Sequence, residues 1–171
     1  MKNETKESAL EFLGILVNKP LCYGLKSPDT ELYDFGFGEL IKVLDRRNKE
    51  KVVATYSLHI TCRFRIIKKT GDCRTNKCYY EDTPCDVFHS EIKNLVGLCV
   101  KRLALSEKND LWLDFGDYWV VFATFEDGEE SWRFFTTNTN EPHLVASDSW
   151  IGDDEDNTNN TGDGSLSSDE K

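Results

Sequence analysis

Hydrophobic and polar residues alternate most regularly in residues 52–67. Apolar side chains occupy the even positions from 56 to 66, and polar or charged side chains occupy the odd positions from 55 to 65. A period of two residues is typical of a β-strand that buries one face and exposes the other. The pattern therefore predicts one long strand whose polar face presents His59, Arg63 and Arg65 together. Two neighbouring cations should lower the pKa of His59.

Two other stretches carry the spacing of a helix. Residues 6–17 place their apolar side chains on one side, which predicts a helix packed against a core. Residues 87–105 do so less regularly, because Gly97 and the β-branched residues near Val100 leave a strand possible in the second half. We therefore expect one helix near the N-terminus and a second that begins near residue 87.

The remaining elements are short strands joined by short turns. Residues 33–39 place two glycines among aromatic residues, which indicates a bent strand. Residues 110–125 predict a hairpin, and its second strand is apolar on both faces. We expect that strand to be central, with a helix over one side and core or a second layer on the other. Turns this short exclude parallel crossovers, so the predicted fold class is α+β: an antiparallel sheet with one or two packed helices.

The last twenty residues differ from the rest of the chain. Residues 152–171 contain one large apolar residue, Leu166, among polar and acidic ones. Such a segment cannot offset the entropy cost of ordering itself. We therefore predict a single α+β domain at residues 1–151 and a disordered acidic tail at residues 152–171.

The overall charge narrows the class of partner. The chain has 31 acidic and 21 basic residues, a net charge of −10, and much of the excess lies in the predicted tail. Nucleic acids and anionic membranes attract cationic surfaces, so we expect neither as a partner. The sequence shows no signal peptide and no apolar run of membrane-spanning length. We expect a soluble, cytoplasmic protein.

Four potential metal ligands lie within seventeen residues. Cys73, Cys78, Cys85 and His89 supply the soft atoms that a tetrahedral zinc site requires, although their spacing matches none of the common zinc motifs. Without a secretory signal we expect the six cysteines to be thiols. Three alternatives stay open for this stretch: ordinary loop thiols, a structural zinc, or a disulfide such as one between Cys73 and Cys78.

Catalytic motifs are missing from the sequence. No serine lies in a nucleophile elbow, no glycine-rich loop ends in Lys-Ser or Lys-Thr, and no H-x-x-x-H pair occurs. We therefore expect a non-enzymatic protein without a cofactor.

Four segments together resemble a known group of proteins. They are residues 35–39 (FGFGE), residues 56–66 (YSLHITCRFRI), residues 130–135 (ESWRFF) and residues 142–145 (PHLV). Over residues 10–151 the chain resembles a set of small bacterial proteins, some of which are similar to the immunity proteins that accompany toxins. The resemblance implies protein binding, with no established activity.

These observations lead to a candidate binding face and three hypotheses. The candidate residues are Glu39, His59, Arg63, Arg65, Trp132 and Arg133. The structural alternative is a solvated sheet face, with Trp132 in the core and Arg133 paired with a carboxylate. The first hypothesis is an immunity-like protein that binds a partner, such as a cationic toxin domain, through its acidic surface. The second is a domain or enzyme that binds an anionic ligand at His59 and Arg63, and the third is a zinc-stabilised regulatory module.

Overall fold

The computed structural model describes residues 2–3, 5–28, 30, 32–45, 47–69, 77–137, 139 and 141–154. It contains twelve strands, two α-helices and a short 3₁₀ helix at Gly14–Leu16. The strands are β1 (Lys2–Asn3), β2 (Leu21–Lys26), β3 (Tyr33–Leu44), β4 (Glu50–Ile60), β5 (Phe64–Lys68), β6 (Lys77–Tyr79), β7 (Arg102–Leu105), β8 (Leu111–Asp114), β9 (Tyr118–Phe122), β10 (Trp132–Thr136), β11 (His143–Ala146) and β12 (Ile151–Asp154). The helices are α1 (Lys6–Leu13) and α2 (Cys85–Ile92).

The strands form two antiparallel sheets. One has seven strands in the order β1-β12-β11-β10-β4-β3-β2, and the other has five in the order β6-β5-β9-β8-β7. The broad α+β class and the antiparallel pairing are confirmed, whereas the expectation of one sheet needs correction. The two sheets pack face to face, as ring contacts of 5.2 Å between Phe35 and Phe122 and of 5.4 Å between Phe35 and Phe64 show.

The predicted long strand is interrupted where the chain passes between the sheets. β4 ends at Ile60 in the seven-stranded sheet, and β5 begins at Phe64 in the five-stranded one. Between them, the backbone N–H groups of Thr61 and Cys62 both donate to the carbonyl oxygen of Ser131, at 3.1 and 3.2 Å. Two successive amides on one acceptor break the regular ladder, so a single uninterrupted strand was the wrong expectation.

Burial nevertheless follows the predicted period across this break. The side chains of residues 58, 60, 62, 64 and 66 are all buried between the sheets. Because the even side stays inside, the odd side points outward from two different sheets. His59 therefore lies on the outer face of the seven-stranded sheet, and Arg65 lies on the outer face of the five-stranded sheet.

The helices complete the core beside the sheets. Thr5 caps α1 by accepting the N–H of Ser8 at 3.3 Å, and Phe12 of α1 packs edge-on against Phe134 at 5.4 Å. α2 places Phe88 against Tyr33 at 4.9 Å. Residues 87–105 contain both of the predicted elements. The first part belongs to α2, which ends at Ile92, and the last part forms β7, which begins at Arg102.

A two-stranded ribbon extends beyond the larger sheet. Residues 40–44 of β3 pair with residues 50–54 of β4, and no third strand joins them in the described part of the chain. The ribbon begins at a register shift between Phe37 and Leu40, where Gly38 adopts a φ of 91°. Glu39 lies in this shift and is exposed to solvent. It is five residues along β3 from Asp34, the residue that pairs with His59.

The C-terminal strand extends the ordered chain beyond its predicted end. β12 pairs with β11 and with β1, so the boundary predicted at residue 151 falls inside a strand. The other residues of the predicted tail, 155–171, lie outside the described residues. Neither described helix combines the length and the apolar character that crossing a membrane requires.

Candidate binding face

The structure does not bring the six predicted binding residues together. Trp132 is completely buried, and its indole N–H donates to the carbonyl oxygen of Asn109 at 3.0 Å. This corrects its assignment as a contact residue, because a side chain without exposed surface cannot touch a partner. The other five residues are divided among the ribbon (Glu39), the outer face of the seven-stranded sheet (His59 and Arg133) and the outer face of the five-stranded sheet (Arg63 and Arg65).

The outer face of the seven-stranded sheet, here the polar face, is a network of paired charges. It comprises Asp34, Ser57, His59, Glu130, Arg133, Phe135 and His143. Arg133 donates from Nε and Nη2 to the two carboxylate oxygens of Glu130, at 2.9 and 2.7 Å. Its Nη1 lies 3.3 Å from Nδ1 of His143. The alternative in which Arg133 pairs with a carboxylate is therefore the observed arrangement.

His59 sits inside this network rather than beside Arg63 and Arg65. Its Nε2 lies 3.8 Å from Oδ1 of Asp34, and its ring meets Phe135 edge-on at 4.8 Å. Burial lowers the pKa of His59, and the charge of Arg133 lowers it further, against the opposite effects of Asp34 and Glu130. The predicted lowering of the pKa of His59 is confirmed. The cation that contributes to it is Arg133, directly opposite on β10, and not Arg63 or Arg65.

The polar face contains serine, histidine and aspartate without forming a nucleophilic triad. A triad requires the serine hydroxyl to donate to the histidine. Here Oγ of Ser57 donates to Oδ1 of Asp34, so the hydroxyl proton is directed to the carboxylate and not to His59. In this arrangement Ser57 lacks the hydrogen bond to histidine that defines a triad.

The outer face of the five-stranded sheet has a different character. One row of directly opposed residues crosses all five strands and contains Cys78, Arg65, Val121, Trp112 and Ala104. A cleft of about 240 Å³ lies over this row, and Arg63 and Tyr80 also line it. We call this surface the arginine–tryptophan face and define it by Arg63, Arg65, Ile67, Tyr80, Trp112, Trp119 and Val121.

A cluster of a buried carboxylate and its two cationic partners supports one side of this face. The carboxylate of Asp114 is 3% exposed and accepts hydrogen bonds from Lys69, from Nε and Nη2 of Arg102 at 3.0 and 2.8 Å, and from the N–H of Gly116 at 2.9 Å. Lys69 and Arg102 also lie over the ring of Trp119, at 4.6 and 5.6 Å from its centre. Trp119 in turn meets Trp112 edge-on at 5.9 Å. The cluster therefore holds both tryptophan rings in place.

The pKa of Asp114 reflects this cluster. Burial alone would raise it, but the hydrogen bonds from Lys69, Arg102 and Gly116 outweigh burial and hold the pKa at about 2. Asp114 is therefore ionised at neutral pH and is fully engaged with its partners.

Arg63 and Arg65 have no comparable partners. Both are exposed, and neither guanidinium forms a salt bridge or a hydrogen bond with another residue in the described part of the chain. Trp112 and Tyr80 beside them are 37% and 48% exposed. Two unpaired cations thus flank an aromatic cleft, which is an arrangement that can bind an anionic group together with an apolar one.

The predicted zinc ligands are not gathered at one place. Cys78 lines the cleft, whereas Sγ of Cys85 lies 3.6 Å from the carbonyl oxygen of Lys26, and Nε2 of His89 accepts the N–H of Lys26 at 3.2 Å. Cys73 lies outside the described residues. Among the residues that are described, no three histidine, cysteine, aspartate or glutamate side chains are grouped to hold a metal, and Cys78 and Cys85 are free thiols.

Sequence reasoning missed the tryptophans of this face. β9 is central, as expected, between β5 and β8. No described helix covers its outer side, however, and this corrects the expectation of a covering helix. The available signal was the apolar character of both faces of residues 118–122, which also fits a strand that presents one face to a partner.

Comparisons with family models, with curated proteins and with solved structures found no match. The resemblance to small bacterial proteins therefore stays a prediction. The function is inferred below from the geometry of the two outer faces.

Proposed function

We propose that the protein is a non-catalytic binding domain that captures a partner protein on the arginine–tryptophan face. The observation that carries this proposal is the pair of unpaired guanidinium groups of Arg63 and Arg65 beside the exposed ring of Trp112. Arginine and tryptophan are the side chains that most often dominate binding energy at protein interfaces. A domain that used these residues only for its own stability would pair the charges and bury the ring.

The shape of the face favours a protein over a small molecule. Its cleft of about 240 Å³ is smaller than the roughly 300–1,000 Å³ typical of ligand pockets. The neighbouring hollow of about 520 Å³, which shares Arg63 and Tyr80, is wide and shallow and also contains the carboxylates of Glu81 and Asp82. The apolar surface continues from Ile67, which lines the cleft, to Trp119, which lies directly opposite Ile67 in the next row of the sheet. A broad surface with a shallow centre suits a protein partner.

This proposal changes the expected charge of the contacted surface. The net charge of −10 suggested a cationic partner, such as the toxin domain implied by the resemblance to immunity proteins. Arg63 and Arg65 favour carboxylates at the point of contact. A toxin domain remains a suitable partner if its contacted surface is acidic.

Differential capture from a lysate of the source organism tests the proposal. The test variant removes the exposed rings, Trp112→Ala with Tyr80→Ala. The control variant, Leu44→Ala with Val52→Ala, removes apolar side chains that are even more exposed, at 67% and 56%, from the ribbon. We expect the wild type and the control to capture the same protein and the test variant to lose it. Capture that is the same for all three, or absent from the wild type, would contradict the proposal.

A further inference from the structure

We infer that the partner presents an extended acidic segment to the arginine–tryptophan face, with carboxylates at alternate positions that pair with Arg63 and Arg65. The inference rests on the proposed function and names the chemistry of its partner. It follows from the spacing of the two arginines, the pairing of β5 and the charges that surround the cleft.

The two arginines are spaced like alternate residues of a strand. Arg65 lies in β5, and Arg63 precedes it in line, because its carbonyl oxygen accepts the N–H of Ala123 at 3.0 Å. Phe64 between them points into the core and is 1% exposed. Side chains on the same side of an extended chain repeat about every 6.6 Å, so a second extended chain can match both guanidinium groups with residues i and i+2.

Recognition must occur through side chains at this position. β5 already pairs with β6 on one side and with β9 on the other, so its backbone groups are used. A partner strand cannot add to the sheet here and has to lie across its outer face. Bidentate pairing of guanidinium with carboxylate then provides both the orientation and the strength of the contact.

Among the described residues, no carboxylate forms a salt bridge with either arginine. The charge of Arg63 nevertheless adds to that of Lys108 in lowering the pKa of Glu126, and Arg63 shares a hollow with Glu81 and Asp82. The nearby carboxylate of Asp110 accepts the N–H and the hydroxyl of Thr124 at 2.9 and 3.1 Å, and Glu126 pairs with Lys108 at 2.8 Å. Asp110 also lines the cleft, so it repels a doubly charged phosphate more strongly than a singly charged carboxylate. Carboxylates of aspartate or glutamate are therefore the favoured anions.

Synthetic peptides test the inference directly. The probe is a short capped peptide of alternating Glu and Val, and its isomer places the glutamates in one block. Titration is followed by calorimetry and by the indole N–H signals of Trp112 and Trp119 in nuclear magnetic resonance spectra. We expect the alternating peptide to bind at least about tenfold more tightly than the isomer, because only its carboxylates match both arginines.

Charge-reversal variants supply the control. Arg63→Glu with Arg65→Glu should weaken binding of the alternating peptide by about a hundredfold. Lys68→Glu changes an exposed cation on the same strand, on the side that faces Tyr118 and Tyr79, and should leave binding unchanged. Because neither arginine has a described hydrogen-bond or salt-bridge partner to lose, the double variant should stay folded, and its circular dichroism spectrum, compared with that of the wild type, separates lost binding from lost folding.

The outcomes also distinguish the inference from the proposed function. Equal binding of the two isomers, binding that ignores the arginine variant, or tighter binding of inorganic phosphate would overturn the inference. If partner capture still depends on Trp112 and Tyr80, the proposed function stands without it. If capture is also independent of those rings, both fail.

Discussion

The two outer faces of the protein use arginine in opposite ways. On the polar face, Arg133 is directly opposite His59, and its side chain is 19% exposed and held by both oxygens of Glu130. On the arginine–tryptophan face, Arg65 is directly opposite Cys78 and Val121, which offer no charge. An arginine is therefore held in an ion pair on the polar face, whereas on the arginine–tryptophan face it is available to bind a partner.

The difference between the paired and the unpaired arginine indicates which face of this domain can bind a partner. A network whose donors and acceptors satisfy each other gives a partner little to gain, because new contacts must replace existing ones. An unpaired guanidinium beside an exposed ring offers charge and apolar surface without that cost. Changes on the polar face should therefore affect stability, and changes on the arginine–tryptophan face should affect binding.

The largest contrast is expected between two tryptophans. Trp132→Ala removes a completely buried ring and its hydrogen bond to Asn109, and should lower the free energy of unfolding by about 3–5 kcal/mol. Trp112→Ala removes a ring that is 37% exposed and should cost about 1 kcal/mol. Urea denaturation of both variants measures the difference. Equal losses would mean that Trp112 serves the core and not a partner.

The buried carboxylate under Trp119 is expected to give the next effect. Asp114→Asn weakens the pairing with Lys69 and Arg102, and should cost about 2 kcal/mol at neutral pH. In the wild type the folded pKa of about 2 is below the ordinary value of 3.8, so folding favours the ionised form. That stability is present above the ordinary value and is lost as the pH falls through about 2. Acid titration of the unfolding free energy should show this loss in the wild type and not in Asp114→Asn.

Removing one arginine from each face compares the faces directly. Arg133→Ala breaks the pairing with Glu130 and should lower the unfolding free energy by about 1–2 kcal/mol. Arg65→Ala loses no described partner and should change it by less than about 0.5 kcal/mol. Thermal denaturation with both variants checks the order. A larger loss for Arg65→Ala would show that this residue is structural.

A carboxylate placed opposite Arg65 should form a salt bridge with it and make the arginine less available to a partner. Cys78→Glu places a carboxylate directly opposite Arg65 on β6, and a cross-strand pair of this kind contributes roughly 0.2–1 kcal/mol. The variant should be slightly more stable than the wild type and should bind the acidic peptide less well. Cys78→Gln, which has the same shape without the charge, is the control. Undiminished peptide binding by Cys78→Glu would contradict the role of Arg65.

The smallest expected effect is the pH dependence that His59 gives to the polar face. Burial and Arg133 lower the pKa of folded His59 below its ordinary value of 6.5, so the unfolded chain binds the proton more tightly. Stability from this residue is present above that value and declines as the pH falls through it. Comparing the wild type with His59→Gln between about pH 7.5 and about pH 5 should show a smaller decline in the variant. A decline of equal size would assign the pH dependence to another group.

Part of this structure could be predicted from the sequence, because it depends on local geometry. Alternation of apolar residues identified the buried side of residues 52–67, and the two apolar faces of residues 118–122 identified the central strand. Both follow from the two-residue repeat of an extended chain, which needs no knowledge of distant residues. The candidate site was predicted only in part: Arg63 and Arg65 were named, but the two tryptophans beside them were not.

The sequence by itself thus determined which side chains of this protein point inward and which point outward. Only the tertiary structure decided which outer face each exposed residue shares, because the chain changes sheets where Thr61 and Cys62 donate to Ser131, about seventy residues away. That crossing separates His59 from Arg65, although only five residues of one regular pattern lie between them. Cross-strand register then placed His59 beside Arg133 and uncharged neighbours beside Arg65. Alternation is a property of the local backbone, whereas the neighbours across a sheet are set by long-range hydrogen bonds.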